Sequence, residues 1–90
     1  MENKVLIKLT LPELDCCFDA FIPVNELIWK VNVLLIKSVS DLTGIPLEGG
    51  KDNNYILINK DTGEIYDNNS IIIDTNIRNS TELLMVSVNK

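Results

Sequence analysis

NELIWKVNVLLIKSVSDLTG, residues 25–44, is the segment from which the rest of the architecture can be inferred. When it is wound as an α-helix at about 100° per residue, most of one side becomes apolar. This broad arc consists of Leu27, Ile28, Val31, Leu34, Leu35, Val39 and Leu42. A second apolar stripe, made of Trp29, Val33 and Ile36, lies about 150° around the helix from the middle of the first. The broad arc is expected to pack against the domain, so the stripe needs another explanation.

The segment also carries signals for both ends of the helix. Asn25 is the expected N-cap, and Glu26 in the first turn should interact favourably with the helix dipole. Gly44 can adopt the left-handed conformation that ends a helix, and Pro46 prevents its continuation. These signals predict a single long helix between Asn25 and Gly44.

In the sequence before and after this helix, apolar and polar residues alternate, which is typical of half-buried strands. Turns are expected at residues 12–15 and at 60–63, where Gly63 supplies a positive φ angle. Pro23 should end the second strand, because proline cannot donate to a strand ladder. Residues 47–54 are a predicted loop, and a second loop, 67–80, is expected to be held to the core by isoleucines. The predicted strands are 5–11, 16–22, 55–59, 64–66 and 83–88.

This order predicts an α+β fold: a mixed sheet of four to five strands, with one long helix across one face. The chain is expected to form a single domain, residues 1–90, since no linker or repeat divides it. The predicted core places Val5, Ile7, Leu9, Phe18, Ala20 and Ile22 against Leu27, Val31, Leu34 and Leu35.

Composition and charge argue against several classes of partner. A net charge of −5, with eight Lys and Arg residues, disfavours nucleic acid and anionic membrane surfaces. No apolar run approaches the roughly 18 residues that cross a bilayer, so no membrane insertion is expected. The first residues lead into strand-like sequence without a hydrophobic signal core, so a cytoplasmic location is expected.

The sequence also offers little that resembles catalytic chemistry. It contains no His, and its only cysteines, Cys16 and Cys17, are adjacent and flanked by Asp15 and Asp19. Adjacent strand residues point to opposite faces, and a metal site needs further ligands, so neither a disulfide nor a metal is expected. With no Gly-rich phosphate loop and dispersed carboxylates, the chain is predicted to be non-enzymatic and without a cofactor.

The strand and helix order is that of the ubiquitin-like β-grasp fold. Gly44-Ile45-Pro46 resembles the Gly-Ile-Pro that ends the helix of ubiquitin, and residues 56–86 are similar to its later strands, hairpin turn and long loop. The long helix, the acidic composition and the Phe18-to-Val24 approach to the helix resemble the YukD/EsaB family of bacterial ubiquitin-like proteins. That resemblance implies a stand-alone, cytosolic, non-enzymatic accessory protein of type VII secretion, acting through protein–protein contacts.

The chain differs from ubiquitin at its end. Ubiquitin and sulfur carriers react through a C-terminal Gly-Gly, whereas this sequence ends with residues 86–90, VSVNK, and its Gly49-Gly50 is internal. Conjugation and sulfur carriage are therefore not expected. The alternative function is a β-grasp interaction or regulatory module of another bacterial pathway.

The candidate partner-binding residues are Trp29, Val33 and Ile36. An exposed tryptophan favours an interface, either with a component of the secretion machinery or in a homodimer. Two alternatives remain open: the loop at 47–54 covers the stripe, or the helix has a different rotational phase.

Overall fold

The computed structural model of the chain describes residues 3–44 and 55–87. Four strands and one α-helix form its framework, and short 3-10 turns lie at Pro12–Leu14 and Ile72–Asp74. The framework elements are β1 (Lys4–Leu11), β2 (Cys16–Pro23), α1 (Ile28–Thr43), β3 (Tyr55–Asn59) and β4 (Glu82–Ser87).

The four strands form one mixed sheet in the order β2-β1-β4-β3. β1 runs antiparallel to β2 and parallel to β4, and β3 runs antiparallel to β4. β2 and β3 are therefore the edges of the described sheet. The predicted hairpin and the predicted third strand are confirmed, whereas the predicted strand at 64–66 is only a single bridge between Ile58 and Ile65.

The core lies between the sheet and α1. The helix contributes Ile28, Val31, Leu35, Ile36 and Val39, and the sheet contributes Ile7, Leu9, Leu11, Ile22, Leu57, Leu83 and Met85. Of the predicted core, four residues are only partly buried: Val5, Phe18, Ala20 and Leu27. Leu34 is 51% exposed, so its prediction as a core residue is wrong.

The helix starts later than predicted, and Asn25 is not its N-cap. Leu27 occupies the N-cap position and has no side-chain cap. Instead, the backbone N–H groups of Ile28 and Trp29 donate to the carbonyls of Ser70 (2.8 Å) and Asn68 (3.1 Å). A distant loop thus satisfies amides that a local side chain was expected to satisfy.

The end of the helix agrees with prediction. Gly44 has a φ of +73° and its N–H donates to the carbonyl of Ser40 at 2.9 Å. A left-handed glycine at this position satisfies a free carbonyl of the last turn without a Cβ penalty. Gly63 adopts a φ of +79° in the turn after β3, also as predicted.

The loop between β3 and β4 is held by a buried polar network centred on Tyr66. Asn59 Nδ2 donates to the Tyr66 hydroxyl at 3.0 Å, and that hydroxyl donates to Asn76 Oδ1 at 2.6 Å. Burial raises the pKa of the Tyr66 phenol, so the hydroxyl keeps the proton that it donates. The same loop buries Ile72 and Ile77 in the core, as predicted, while Ile73 is exposed.

Replacing Tyr66 with Phe should destabilise the domain by about 1–2 kcal/mol, because the buried Asn59 amide loses its acceptor while the ring remains. The measurement is the free energy of unfolding in urea, followed by circular dichroism. An unchanged free energy would contradict a stabilising role for this network.

Glu13 connects the β1–β2 turn to the end of β4. Its Oε2 accepts hydrogen bonds from the Ser87 hydroxyl at 2.6 Å and from the Ser87 N–H at 3.0 Å. Both hydrogen bonds lower the pKa of the Glu13 carboxyl below its usual 4.5, the one from the hydroxyl more than the one from the N–H. Desolvation has a smaller, opposing effect.

Because the folded-state pKa of Glu13 is lowered, its carboxylate contributes stability above pH 4.5 that is lost as pH falls through the lower value. Wild type should therefore be more stable than Glu13→Gln near neutral pH, and this difference should shrink as the pH falls below 4.5. Urea unfolding of both proteins across this range measures it. A difference that does not change with pH would show that the ionised carboxylate is not responsible.

Candidate interaction surfaces

The structure separates the three residues predicted to bind a partner. Trp29 is 44% exposed and Val33 is 36% exposed, but Ile36 is 1% exposed. Ile36 belongs to the same core cluster as Ile72 and Ile77 of the loop before β4. The placement of Ile36 on an exposed stripe is therefore wrong, because Ile36 is buried in the core cluster that also contains residues of this loop.

Trp29 and Val33 nevertheless share an exposed flank of α1 with two lysines. The ammonium of Lys30 lies 5.7 Å from the centroid of the Trp29 ring, within the range of a cation–π contact. Lys37 is exposed one turn after Val33. We call Trp29, Lys30, Val33 and Lys37 the Trp29 face. It combines a large aromatic ring with positive charge on an acidic domain.

A second apolar surface, on the opposite flank of α1, was not foreseen. Leu34 is 51% exposed and Leu42 is 69% exposed, although both were predicted to lie in the buried arc. Between this flank and β2 lies a cleft of about 290 Å³. Its lining includes Phe18, Ala20 and Ile22 from the strand. In the sequence, the only sign of this surface was the position of Leu34 and Leu42 at one margin of the predicted arc.

The outer face of the sheet is a third partly apolar surface. Leu57 and Met85 are buried beneath α1, so their strand neighbours point the other way. On this outer face Ile56 lies opposite Val86, and Ile58 lies opposite Leu84. All four are only partly exposed.

Within residues 3–44 and 55–87, no group of three or more His, Cys, Asp or Glu side chains could hold a metal ion. Cys16 is half-buried and Cys17 is exposed, and both are free thiols. The Thr10 hydroxyl donates to the sulfur of Cys17 at 3.6 Å.

Some predicted features fall outside the described residues. They include the loop 47–54, with its Gly49-Gly50, and the last residues, 88–90. Cover of the Trp29 face by that loop therefore stays a prediction. Among the described helices, none is long and apolar enough to cross a membrane.

No protein-family model matches the chain, and neither does any curated protein. Solved structures do. The chain is similar to part of a chain in the "MycP5-free ESX-5 inner membrane complex, State II", with a TM-score of 0.80 and 14% identity. That match covers 98% of this chain and 22% of the other, so the chain spans about a fifth of that neighbour's length.

Two further structures match over most of both chains. The EccD5 ubiquitin-like domain from Mycobacterium xenopi has a TM-score of 0.76 and 15% identity, covering 97% of each chain. A ubiquitin-like domain of an Arabidopsis thaliana protein has a TM-score of 0.60 and 13% identity, covering 92% of this chain and 76% of the other. These matches confirm the predicted ubiquitin-like β-grasp fold.

The corrected helix phase can be tested with two substitutions that remove equal volume. Ile36→Ala should cost about 2–5 kcal/mol of stability, because it leaves a cavity in the core. Leu34→Ala, two residues away on the exposed flank, should cost less than about 1 kcal/mol. The measurement is urea unfolding followed by circular dichroism. Equal losses in the two variants would contradict the helix rotation described here.

Proposed function

We propose that the chain is a non-enzymatic ubiquitin-like accessory protein of a bacterial type VII secretion system, of the YukD/EsaB kind, that acts through protein–protein contacts in the cytoplasm. The observation that carries this proposal is the likeness to the EccD5 ubiquitin-like domain over 97% of both chains. The likeness to a chain of the ESX-5 inner membrane complex supports the same system. The resemblance of the sequence to the YukD/EsaB family supports the stand-alone form.

The Trp29 face is the surface proposed for the main partner. Tryptophan is among the residues that most often dominate binding energy when an interface buries them, and an adjacent aliphatic residue extends the contact. Lys30 and Lys37 give this face positive charge although the chain carries a net charge of −5. The face therefore suits a partner surface with an apolar pocket and acidic residues at its rim.

The chemistry of the described residues supports a binding role over an enzymatic one. Asp19 is the only charged residue among those that line the cleft beside β2, and it alternates along the strand with Phe18 and Ala20, which pack against the core. General acid–base catalysis needs a second titratable group within hydrogen-bond reach of the reacting atoms, and no other charged residue lines this cleft.

The alternative is a β-grasp interaction or regulatory module of another bacterial pathway. The match to a plant ubiquitin-like domain shows that the fold occurs in unrelated settings. Fold alone does not assign a pathway, so the test must measure secretion itself.

In the bacterium that encodes the chain, we expect deletion of its gene to reduce release of small Trp-x-Gly secretion substrates into the medium. Wild-type complementation should restore release, and Trp29→Ala should not, because it removes the aromatic ring from the partner contact. Immunoblots of medium and cells measure release and confirm equal protein levels. Ile65→Ala, which alters a 62% exposed residue on the β3 hairpin, is the matched control and should complement fully.

Normal secretion after gene deletion would exclude the type VII role and favour the alternative pathway. Full complementation by Trp29→Ala would instead leave the type VII role in place but would reject the Trp29 face as the contact surface for the partner. Light scattering of the purified chain tests whether the partner is a second copy: only a dimer that Trp29→Ala dissociates would assign this face to a homodimer.

A further inference from the structure

The exposed edge of β2 carries backbone groups available for another strand. The N–H of Val24 donates to the carbonyl of Asn3 at 2.8 Å, so residues 3 and 24 form a hydrogen-bonded pair of the antiparallel ladder. Such pairs alternate, and with this register the hydrogen-bonded residues of β2 are 16, 18, 20 and 22. The N–H and C=O groups of Cys17, Asp19 and Phe21 therefore point away from β1.

Contacts on the other side of β1 agree with this alternation. Phe21 and Asp19 lie opposite Leu6 and Lys8. The Leu6 carbonyl accepts from the N–H of Ser80 at 2.7 Å, and the Lys8 N–H donates to the carbonyl of Thr81 at 3.0 Å. Leu6 and Lys8 thus direct their backbone groups away from β2. Within the described residues, β2 has no neighbouring strand on its outer side.

The apolar cleft lies directly beside this free edge. Its floor and walls come from β2 and from the exposed flank of α1, where Leu34 and Leu42 are 51% and 69% exposed. In a strand added to the β2 edge, alternate side chains would project toward α1 and enter the cleft. Pro23 lacks an N–H and would end the pairing at that end of the strand.

Charge selects the side chain that would face Asp19. Asp19 is the only charged residue among those lining the cleft, and Lys8 lies opposite it on β1. A basic residue on the added strand would lie opposite Asp19, on the side of β2 away from Lys8. Cross-strand pairs of opposite charge are stabilising. A second copy of β2, paired antiparallel so that Cys17 lies opposite Phe21, would place Asp19 opposite Asp19, which is destabilising.

We infer that the β2 edge and its cleft bind an extended peptide segment of a partner protein, with apolar side chains at alternate positions and a basic residue between two of them. The segment would extend the sheet by one strand, with its backbone bonded to Cys17, Asp19 and Phe21. At about 100° per residue, Trp29 and Val33 lie on a different side of α1 from Leu34 and Leu42, so the apolar parts of the two sites are distinct.

Hydrogen exchange of the free, full chain tests the open edge. The amides of Cys17, Asp19 and Phe21 should exchange quickly, while those of Phe18, Ala20 and Ile22 should be protected by bonds to β1. Measurement is by two-dimensional nuclear magnetic resonance after transfer to heavy water. If all six amides were protected, the β2 edge would already be occupied, either by other residues of the chain or by a second copy. That result would overturn the proposal.

Selection from a display library of short randomised peptides against the full chain tests the occupant. The selected peptides should share alternate apolar residues with Lys or Arg between them, and binding should protect the amides of Cys17, Asp19 and Phe21. Leu34→Asp and Asp19→Lys should each weaken binding by about tenfold, a loss of about 1.4 kcal/mol. Ile65→Asp, on the β3 hairpin, is the control and should leave affinity unchanged.

Failure to select any peptide, or selection of peptides whose binding is unaffected by both Leu34→Asp and Asp19→Lys, would overturn the proposal. Neither result would alter the secretion assay with Trp29→Ala, so the two proposals fail independently. Circular dichroism of each variant would confirm that it remains folded, and Asp19→Asn supplies a milder change that removes only the charge.

Discussion

Backbone hydrogen bonds between the approach to α1 and the loop before β4 determine how the helix sits on the sheet. Ile28 and Trp29 donate to carbonyls of this loop, while the N–H groups of Ile72 and Ile73 donate to the carbonyls of Glu26 (3.0 Å) and Val24 (2.9 Å). Bonds in both directions fix the first residue of the helix and its rotation together. Since successive residues turn by about 100°, this rotation decides which side chains reach the core and which reach solvent.

Asn32 reinforces the same rotation from within the buried arc. It is 4% exposed, and its Nδ2 donates to the carbonyl of Tyr55 at 3.3 Å and to Asn68 Oδ1 at 3.4 Å. Its Oδ1 is buried without a hydrogen-bond partner in the described part of the chain. A buried amide that loses its hydrogen bonds destabilises the fold. If α1 were rotated about its axis, the domain would lose the hydrogen bonds of Asn32 as well as apolar contacts. The polar residue therefore favours one orientation of an otherwise very apolar helix.

Local signals in the sequence were sufficient for four of the five predicted strands and for the two left-handed glycines, because alternation and positive φ depend on neighbouring residues. The strand predicted at 64–66 is only a bridge. They were insufficient for Asn25, Leu34 and Ile36. The amides at the helix start are satisfied by residues some 40 positions away, at Asn68 and Ser70, which no capping rule detects. With apolar residues around most of the helix, periodicity alone could not fix its phase, and the exposed flank beside β2 was consequently missed.

The corrected phase gives the domain two unlike surfaces on the same rigid helix. The Trp29 face joins an aromatic ring to lysines, whereas the opposite flank joins exposed leucines to an open strand edge that carries Asp19. One surface suits a preformed acidic pocket, and the other suits an extended basic segment that becomes ordered on binding. Trp29 and Val33 lie on a different side of α1 from Leu34 and Leu42, although Lys30 is one turn before Leu34. If both proposed surfaces bind, the domain would hold two partners, or two parts of one partner, on different sides of α1.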